Sequence, residues 1–206
     1  MRADPQHLRG ELEAHIAAVT DTMVGSSATI LEIATRLASC FRQGGKVLIC
    51  GNGGSAADAQ HFAAEFVNHL RFDRPALPAI ALTTDSSVIT SIANDRRYED
   101  IFVRQIDAAG AAGDVLIVLS TSGASPNVLA ALAAGRRKGM VTVALTGQAG
   151  IEPMSANADV LLAVASRDTQ RIQECHLFAY HVIAGMVEEQ LFGAIGMANA
   201  ERARSK

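Results

Sequence analysis

Residues 47–56, Val-Leu-Ile-Cys-Gly-Asn-Gly-Gly-Ser-Ala, decide the fold. The first four form an unbroken apolar run, which is typical of a strand covered on both faces, and a glycine turn leads from it into a helical pattern. Four similar runs begin at Ala79, Val115, Val141 and Val160, with room for a crossover helix after each. We therefore predict an α/β fold in which helices cover a five-stranded parallel sheet.

Helical patterns occupy most of the remaining chain. Apolar residues recur at helical spacing from Pro5 to Phe41, and a break near Gly25 divides this region into two helices. The later helices are predicted over residues 55–70, 86–110 in two pieces, 126–138 and 169–191. This pattern divides the chain into three parts: an N-terminal helical arm (1–43), one α/β domain (44–195) and a frayed tail (196–206).

Composition excludes several classes of protein. The 206 residues suffice for one domain with an added arm, and a hydrophobic content of 49% excludes global disorder. A formal net charge of -3 provides no general attraction for nucleic acids or acidic membranes. Three cysteines without a Cys-x-x-Cys spacing predict reduced, buried thiols. With no signal-like or membrane-spanning run, we expect a cytoplasmic protein.

Two turns that follow predicted strands suit a small anionic ligand. Residues 51–56 place glycines at a helix start, where backbone N–H groups attract anions. An ordinary tight turn or a dinucleotide fingerprint would produce the same pattern. Residues 120–125 bring four hydroxyls to a helix that opens with Pro126, which favours a phosphate site over N-capping alone.

Polar residues within predicted helices form a third group of candidates. His61 and Glu65 are four residues apart and share one helix face, where they could bind a metal, transfer protons or simply face solvent. On the last helix, Gln173 and His181 interrupt an apolar pattern. His176 on the same helix is interpreted as a core histidine.

Five motifs occur in order: 50–55 (Cys-Gly-Asn-Gly-Gly-Ser), 61–65 (His-Phe-Ala-Ala-Glu), 92–95 (Ile-Ala-Asn-Asp), 120–125 (Ser-Thr-Ser-Gly-Ala-Ser), and 171–174 (Arg-Ile-Gln-Glu) with His181. Together they resemble the phosphoheptose isomerases, which are sugar-isomerase (SIS) domain proteins. That family converts sedoheptulose 7-phosphate into D-glycero-D-manno-heptose 7-phosphate. The resemblance extends to about Phe192 and implies a single three-layer SIS domain over residues 44–195.

The resemblance also implies roles for individual residues. Substrate contacts would come from Asn52, Gly53, Gly54, Ser55, Glu65, Asn94, Asp95, Ser120, Thr121, Ser122, Ser125 and Gln173. One zinc ion per subunit would be bound by His61, Glu65, Gln173 and His181. Glu65 and His181 would also form the acid–base pair.

Aldose–ketose exchange needs a base at carbon and a group that serves the oxygens of an enediol, so we expect Glu65 to act as the base and His181 as the acid. Zinc would polarise the carbonyl. Whether Glu65 serves as base, as metal ligand or as both is left open by the sequence. Gln173 and His181 are separated by about 12 Å of helical rise, which is too far for one ion with bonds of about 2 Å. We therefore hypothesise that a neighbouring subunit supplies one of the two. Family members are similarly tetrameric, so a homotetramer with active sites at subunit interfaces is expected.

Two other classes of function compete with this interpretation. Some SIS relatives that bind the replication initiator are non-catalytic interaction modules, and they lack the glutamate and final histidine that stand here at Glu65 and His181. A nicotinamide-dependent dehydrogenase would explain the glycine turn but would leave residues 120–125 without a role. The identity of the metal is open as well, because histidine, glutamate and glutamine also suit other borderline cations.

Overall fold

The computed structural model describes residues 4–204, and it describes the side-chain surroundings of residues 4–194. Residues 1–3 of the expected arm and residues 205–206 of the expected tail lie outside this description. The chain between them alternates strands with helices in the predicted order.

The five predicted strands are all present and pair in parallel. They are β1 (Val47–Gly51), β2 (Ala79–Ala81), β3 (Val115–Ser120), β4 (Val141–Gly147) and β5 (Val160–Val164). Their order in the sheet is β2-β1-β3-β4-β5. The chain therefore changes direction across the sheet between β1 and β3, and this switch point is where open α/β sheets bind ligands.

Eight α-helices lie within the described residues: α1 (Pro5–Gly25), α2 (Ser27–Arg42), α3 (Gly54–Val67), α4 (Ser86–Asp95), α5 (Ile101–Ala109), α6 (Pro126–Arg137), α7 (Ile151–Ser155) and α8 (Thr169–Arg204). Two of them differ from the sequence-based expectation. The short helix α7 was not predicted, and α8 continues beyond residue 191 to Arg204. Most of the segment expected as a tail is thus helical backbone.

Alternate residues of each central strand pack into different layers. On β1, Val47 and Ile49 join a core cluster with α2, α3 and α8, whereas Leu48 and Cys50 join a second cluster with α5 and α6. All four are fully buried. Burying both faces of the sheet explains why these strands lack polar alternation, and it produces the predicted three-layer architecture.

The two N-terminal helices differ in how much of their apolar surface is buried. Helix α2 contributes Ile33 and Leu37 to the core, and both side chains are fully buried. Helix α1 packs on α8 but leaves Leu8, Leu12 and Ile16 more than half exposed along one stripe. No single helix within residues 4–204 is long and apolar enough to cross a membrane; α1 and α2 meet those criteria only as a pair, which is bent by 68°.

Candidate active site

The glycine turn and the hydroxyl loop meet at the switch point of the sheet. Gly51 at the end of β1 pairs with Leu119 near the end of β3, so the segments that follow both strands leave the sheet side by side. One leads into α3 and the other into α6. The two helices therefore begin beside the same crevice, where their N-terminal dipoles favour an anion.

A small polar cavity lies between these segments. Seven predicted substrate residues line it: Asn52, Ser55, Ser120, Thr121, Ser122, Ser125 and Gln173. Ser125 is the N-cap residue of α6, yet its side chain makes no capping hydrogen bond. Its hydroxyl is thus not occupied by the helix start, which weakens N-capping as the reason for serine there.

The hydroxyl loop has a tightly supported backbone. Gly123 adopts a positive φ of 65°, and its amide donates a 3.1 Å hydrogen bond to the Ser120 hydroxyl. A Cβ atom at Gly123 would collide with the backbone of Gly150. The amide of Gly147 donates a 3.2 Å hydrogen bond to the carbonyl oxygen of Thr121. These contacts set the direction of the hydroxyls around the cavity.

Asn127 joins the glycine turn to the start of α6, and sequence analysis assigned it no role. Its amide group exchanges two hydrogen bonds of 2.9 Å with that of Asn52, and its side chain is almost fully buried. A buried amide must be hydrogen-bonded to avoid a desolvation cost, so this reciprocal pair holds the glycine turn against the start of α6. The one feature of the sequence that could have pointed to Asn127 is its position directly after Pro126, at the start of a predicted helix.

The Asn94–Asp95 pair is placed elsewhere. Both residues lie exposed at the C-terminal end of α4, where the Asn94 amide donates a 2.8 Å hydrogen bond to Asp95. Neither lines the polar cavity. The substrate contacts implied for them stay a prediction.

The predicted acid–base residues come together on the facing sides of α3 and α8. His61 Nε2 lies 2.9 Å from Glu65 Oε1, and His181 Nε2 lies 3.7 Å from the same oxygen. The two imidazole Nε2 atoms are 3.2 Å apart. Only 13% of the Glu65 side chain is exposed, compared with 44% for His61 and 34% for His181. A carboxylate largely screened from water is thus flanked by two accessible imidazoles.

These three residues fit a metal ion. One ligand atom of each lies within 4.8 Å of the others. Ligands of a tetrahedral zinc ion with bonds of about 2.0–2.1 Å are about 3.3 Å apart, close to the separations seen here. Two imidazole nitrogens and a carboxylate oxygen leave one coordination position open, as in catalytic zinc sites.

Gln173, the fourth predicted ligand, lies near the start of α8. Its side-chain amide packs against Gly54 at the start of α3 and lines the polar cavity. His181 lies two helical turns further along α8 and contacts His61. The metal-ligand role implied for Gln173, and its supply by a neighbouring subunit, stay predictions.

A buried ion pair holds the end of α3 against α8. Arg74 and Glu188 have no exposed side-chain surface and are 3.1 Å apart. Arg74 also donates to the carbonyl oxygens of Glu65 and Phe66, at 2.7 and 2.6 Å. Glu188 accepts hydrogen bonds from the backbone amides of Leu70 and Arg71. The pair therefore caps the helix turn that carries Glu65, and sequence analysis did not identify it.

The remaining candidates belong to the core. His176 is fully buried, as predicted, but neither ring nitrogen has a hydrogen-bond partner among the described residues. Burial lowers the pKa of His176 to about 4, so its ring is neutral. The three cysteines are buried free thiols, as the sequence predicts, and burial raises the pKa of each.

Comparisons with known proteins identify the family of the chain. The SIS domain family model matches residues 11–147. A phosphoheptose isomerase from Desulfovibrio desulfuricans is 52% identical over 177 residues, which cover 85% of this chain and 84% of the relative. These similarities favour the isomerase prediction over both the interaction module and the dehydrogenase.

Solved structures extend the similarity to the whole fold. A phosphoheptose isomerase from Neisseria gonorrhoeae is 38% identical with a TM-score of 0.84, and the match covers 89% of this chain and 98% of that structure. One from Francisella tularensis is 36% identical with a TM-score of 0.86, over 89% of this chain and 97% of that structure. The chain therefore belongs to the phosphoheptose isomerase family of SIS-domain proteins, and it is an isomerase enzyme.

Proposed function

We propose that this protein converts sedoheptulose 7-phosphate into D-glycero-D-manno-heptose 7-phosphate. The observation that carries the proposal is the approach of a screened carboxylate, Glu65, to His181 on two helices that start beside a polar cavity. The names of the relatives supply the substrate class, and the cavity supplies a position for the phosphate.

The phosphate is held by uncharged donors in this proposal. Hydroxyls of Ser120, Thr121, Ser122 and Ser125 and the N-terminal amides of α3 and α6 surround the cavity. Hydrogen bonds to a charged acceptor are stronger than neutral ones, and two helix N-termini add favourable dipoles, so no lysine or arginine is required. Asn94 and Asp95 remain proposed contacts to the sugar hydroxyls.

The sugar carbons lie further along α3 and α8. Glu65 removes a proton from C1 of the ketose, which produces an enediolate, and the same carboxylic acid returns a proton to C2. His181 donates a proton to the oxygen on C2 and accepts the proton from the oxygen on C1. Each residue therefore ends the reaction with the protons it had at the start. A carboxylate and an imidazole within 4 Å of each other can share both transfers.

Zinc assistance is part of the proposal. His61, Glu65 and His181 would hold the ion, with Gln173 of a neighbouring subunit as the candidate fourth ligand. When bound, zinc supplies Lewis-acid polarisation of the carbonyl and stabilises negative charge on the enediolate oxygens.

Exposed apolar side chains on two helices support an assembly of subunits. They are Leu8, Leu12 and Ile16 on α1 and Leu177 and Phe178 on α8, and exposed apolar patches commonly mark protein interfaces. We propose that a cytoplasmic homotetramer covers it and places each site at a subunit interface. Sedimentation of the purified protein should show a tetramer; a monomer with full turnover would contradict this assembly.

The direct test is an isomerase assay on the purified protein. Incubation with sedoheptulose 7-phosphate should produce the aldose, detected by NMR. Glu65→Gln should reduce turnover by about 100-fold or more while sugar-phosphate binding persists, because the amide cannot accept the carbon proton. Glu189→Gln on the exposed side of α8 is the matched control and should retain full turnover. Absence of product from the wild-type protein would overturn the proposed function.

A further inference from the structure

His61 has a second hydrogen-bonded neighbour on the side opposite Glu65 and His181. The phenol oxygen of Tyr180 lies 2.9 Å from Nδ1 of His61, while Nε2 of the same ring points to Glu65 and His181. Tyr180 is fully buried, and its ring stacks on Phe62 with centroids 5.0 Å apart. The position of the hydroxyl is therefore set by packing.

Asp58 lies on the preceding turn of α3. One of its carboxyl oxygens, Oδ2, is buried without a hydrogen-bond partner among the described residues. Asp58, His61 and Glu65 share one face of α3, at spacings of three and four residues. A buried carboxyl oxygen with spare acceptor capacity thus lies on the same helix face as His61.

We propose that Asp58 and Tyr180 are positioning residues that prepare His61 to bind the metal ion. In this arrangement the Tyr180 hydroxyl donates its proton to Asp58 and accepts the Nδ1 proton of His61. An imidazole protonated at Nδ1 has its lone pair at Nε2, the atom that faces Glu65 and His181. The chain Asp58, Tyr180, His61 therefore selects the ring tautomer and orientation that a metal requires.

The single proton of the Tyr180 hydroxyl limits how it can bond to its neighbours. A phenol with one proton can donate to only one neighbour. If it donated to Nδ1 instead, the His61 proton would move to Nε2 and block the metal-binding lone pair. Partners behind metal-binding histidines commonly fix the tautomer in this way.

This inference rests on the metal-assisted part of the proposed function, and zinc affinity tests it apart from turnover. Tyr180→Phe keeps the ring that packs on Phe62 and removes only the hydroxyl. We expect it to weaken zinc binding about 10- to 100-fold in competition with a chromogenic chelator. Tyr98→Phe removes the chain's other phenol, which lies on an exposed side chain, and should leave zinc affinity unchanged.

A second variant and a spectrum distinguish orientation from damage to the fold. Asp58→Asn should weaken zinc binding as Tyr180→Phe does. Because both residues act through His61, the zinc affinity of the double variant should equal that of the single variant with the lower affinity. Cobalt(II) added in place of zinc should give a visible spectrum that Tyr180→Phe alters and Tyr98→Phe does not.

The outcomes separate the inference from the proposed function. Zinc binding by Tyr180→Phe within twofold of the wild-type protein would overturn the positioning role while leaving the isomerase proposal intact. Failure of the wild-type protein to bind zinc would overturn both the positioning role and zinc assistance. Turnover of sedoheptulose 7-phosphate, measured separately, would still decide the isomerase proposal.

Discussion

Gly123 has no space for a side chain, because a Cβ atom would meet the backbone of Gly150 as well as require a positive φ of 65°. Gly123→Ala should destabilise the fold by about 1–2 kcal/mol from backbone strain alone. It should also displace the hydroxyl loop and reduce sugar-phosphate affinity at least tenfold. Isothermal titration calorimetry with sedoheptulose 7-phosphate measures the affinity.

Gly113 provides a matched control for the Gly123→Ala variant. It has a positive φ of 89°, but nothing lies within 4 Å of the position that a Cβ would take. Gly113→Ala should therefore cost similar backbone strain and leave sugar-phosphate affinity unchanged. Equal affinities for the two variants would mean that the loop conformation does not determine phosphate binding.

Individual polar residues were the hardest features to predict. Hydroxyls and glycines at strand ends predict a phosphate site because few other roles require them together. Tyr180 and Arg74 carry no such signal, since an aromatic residue in an apolar helix and an arginine in a loop usually have ordinary structural roles. Only the fold shows that one contacts His61 and the other caps the turn of Glu65.

At the scale of elements, α3 and α8 are joined by the buried Arg74–Glu188 pair. Glu188→Gln should destabilise the protein by about 3–5 kcal/mol, because it leaves a buried guanidinium uncompensated. It should also lower turnover, since the same arginine holds the carbonyl oxygen of Glu65. Urea unfolding measures the first effect and the isomerase assay the second.

An exposed pair on α2 provides the comparison for that prediction. Arg36 and Glu32 are 2.8 Å apart at a four-residue spacing, with both side chains more than 40% exposed. Glu32→Gln should change the free energy of unfolding by less than about 1 kcal/mol. A Glu188→Gln variant as stable as Glu32→Gln would contradict the anchoring role of the buried pair.

Elements were predicted better than their ends. All five strands were identified because a short, unbroken apolar run between two helical patterns is typical of a buried strand in a parallel sheet. The short helix α7 was missed because five residues cannot show a helical period, and the length of α8 was underestimated because its final residues lack the apolar stripe used to detect helices.

At the scale of the whole molecule, stability should depend on pH through His176. Its pKa is about 4 when folded and about 6.5 when unfolded, so the unfolded chain binds more protons between these values. The contribution of His176 to the free energy of unfolding is fully present above pH 6.5. It is lost as the pH falls towards 4, by an amount on the order of 3 kcal/mol. Urea unfolding at several pH values measures this loss.

A variant without the imidazole isolates that contribution from the other histidines. His176→Leu removes the titrating group from the core, so its stability should fall less steeply than that of the wild-type protein between pH 6.5 and 4. Parallel stability curves for the two proteins would show that His176 does not carry the pH dependence.

The central claim, that Glu65 moves a carbon-bound proton of a phosphosugar, is tested most directly by isomerisation in deuterium oxide. NMR of the sugar phosphate should show that the wild-type protein incorporates solvent deuterium at C2 of the aldose, as proton exchange through an enediol requires. Glu65→Gln should bind the sugar phosphate and incorporate none. Deuterium incorporation by Glu65→Gln at the wild-type rate would contradict the account.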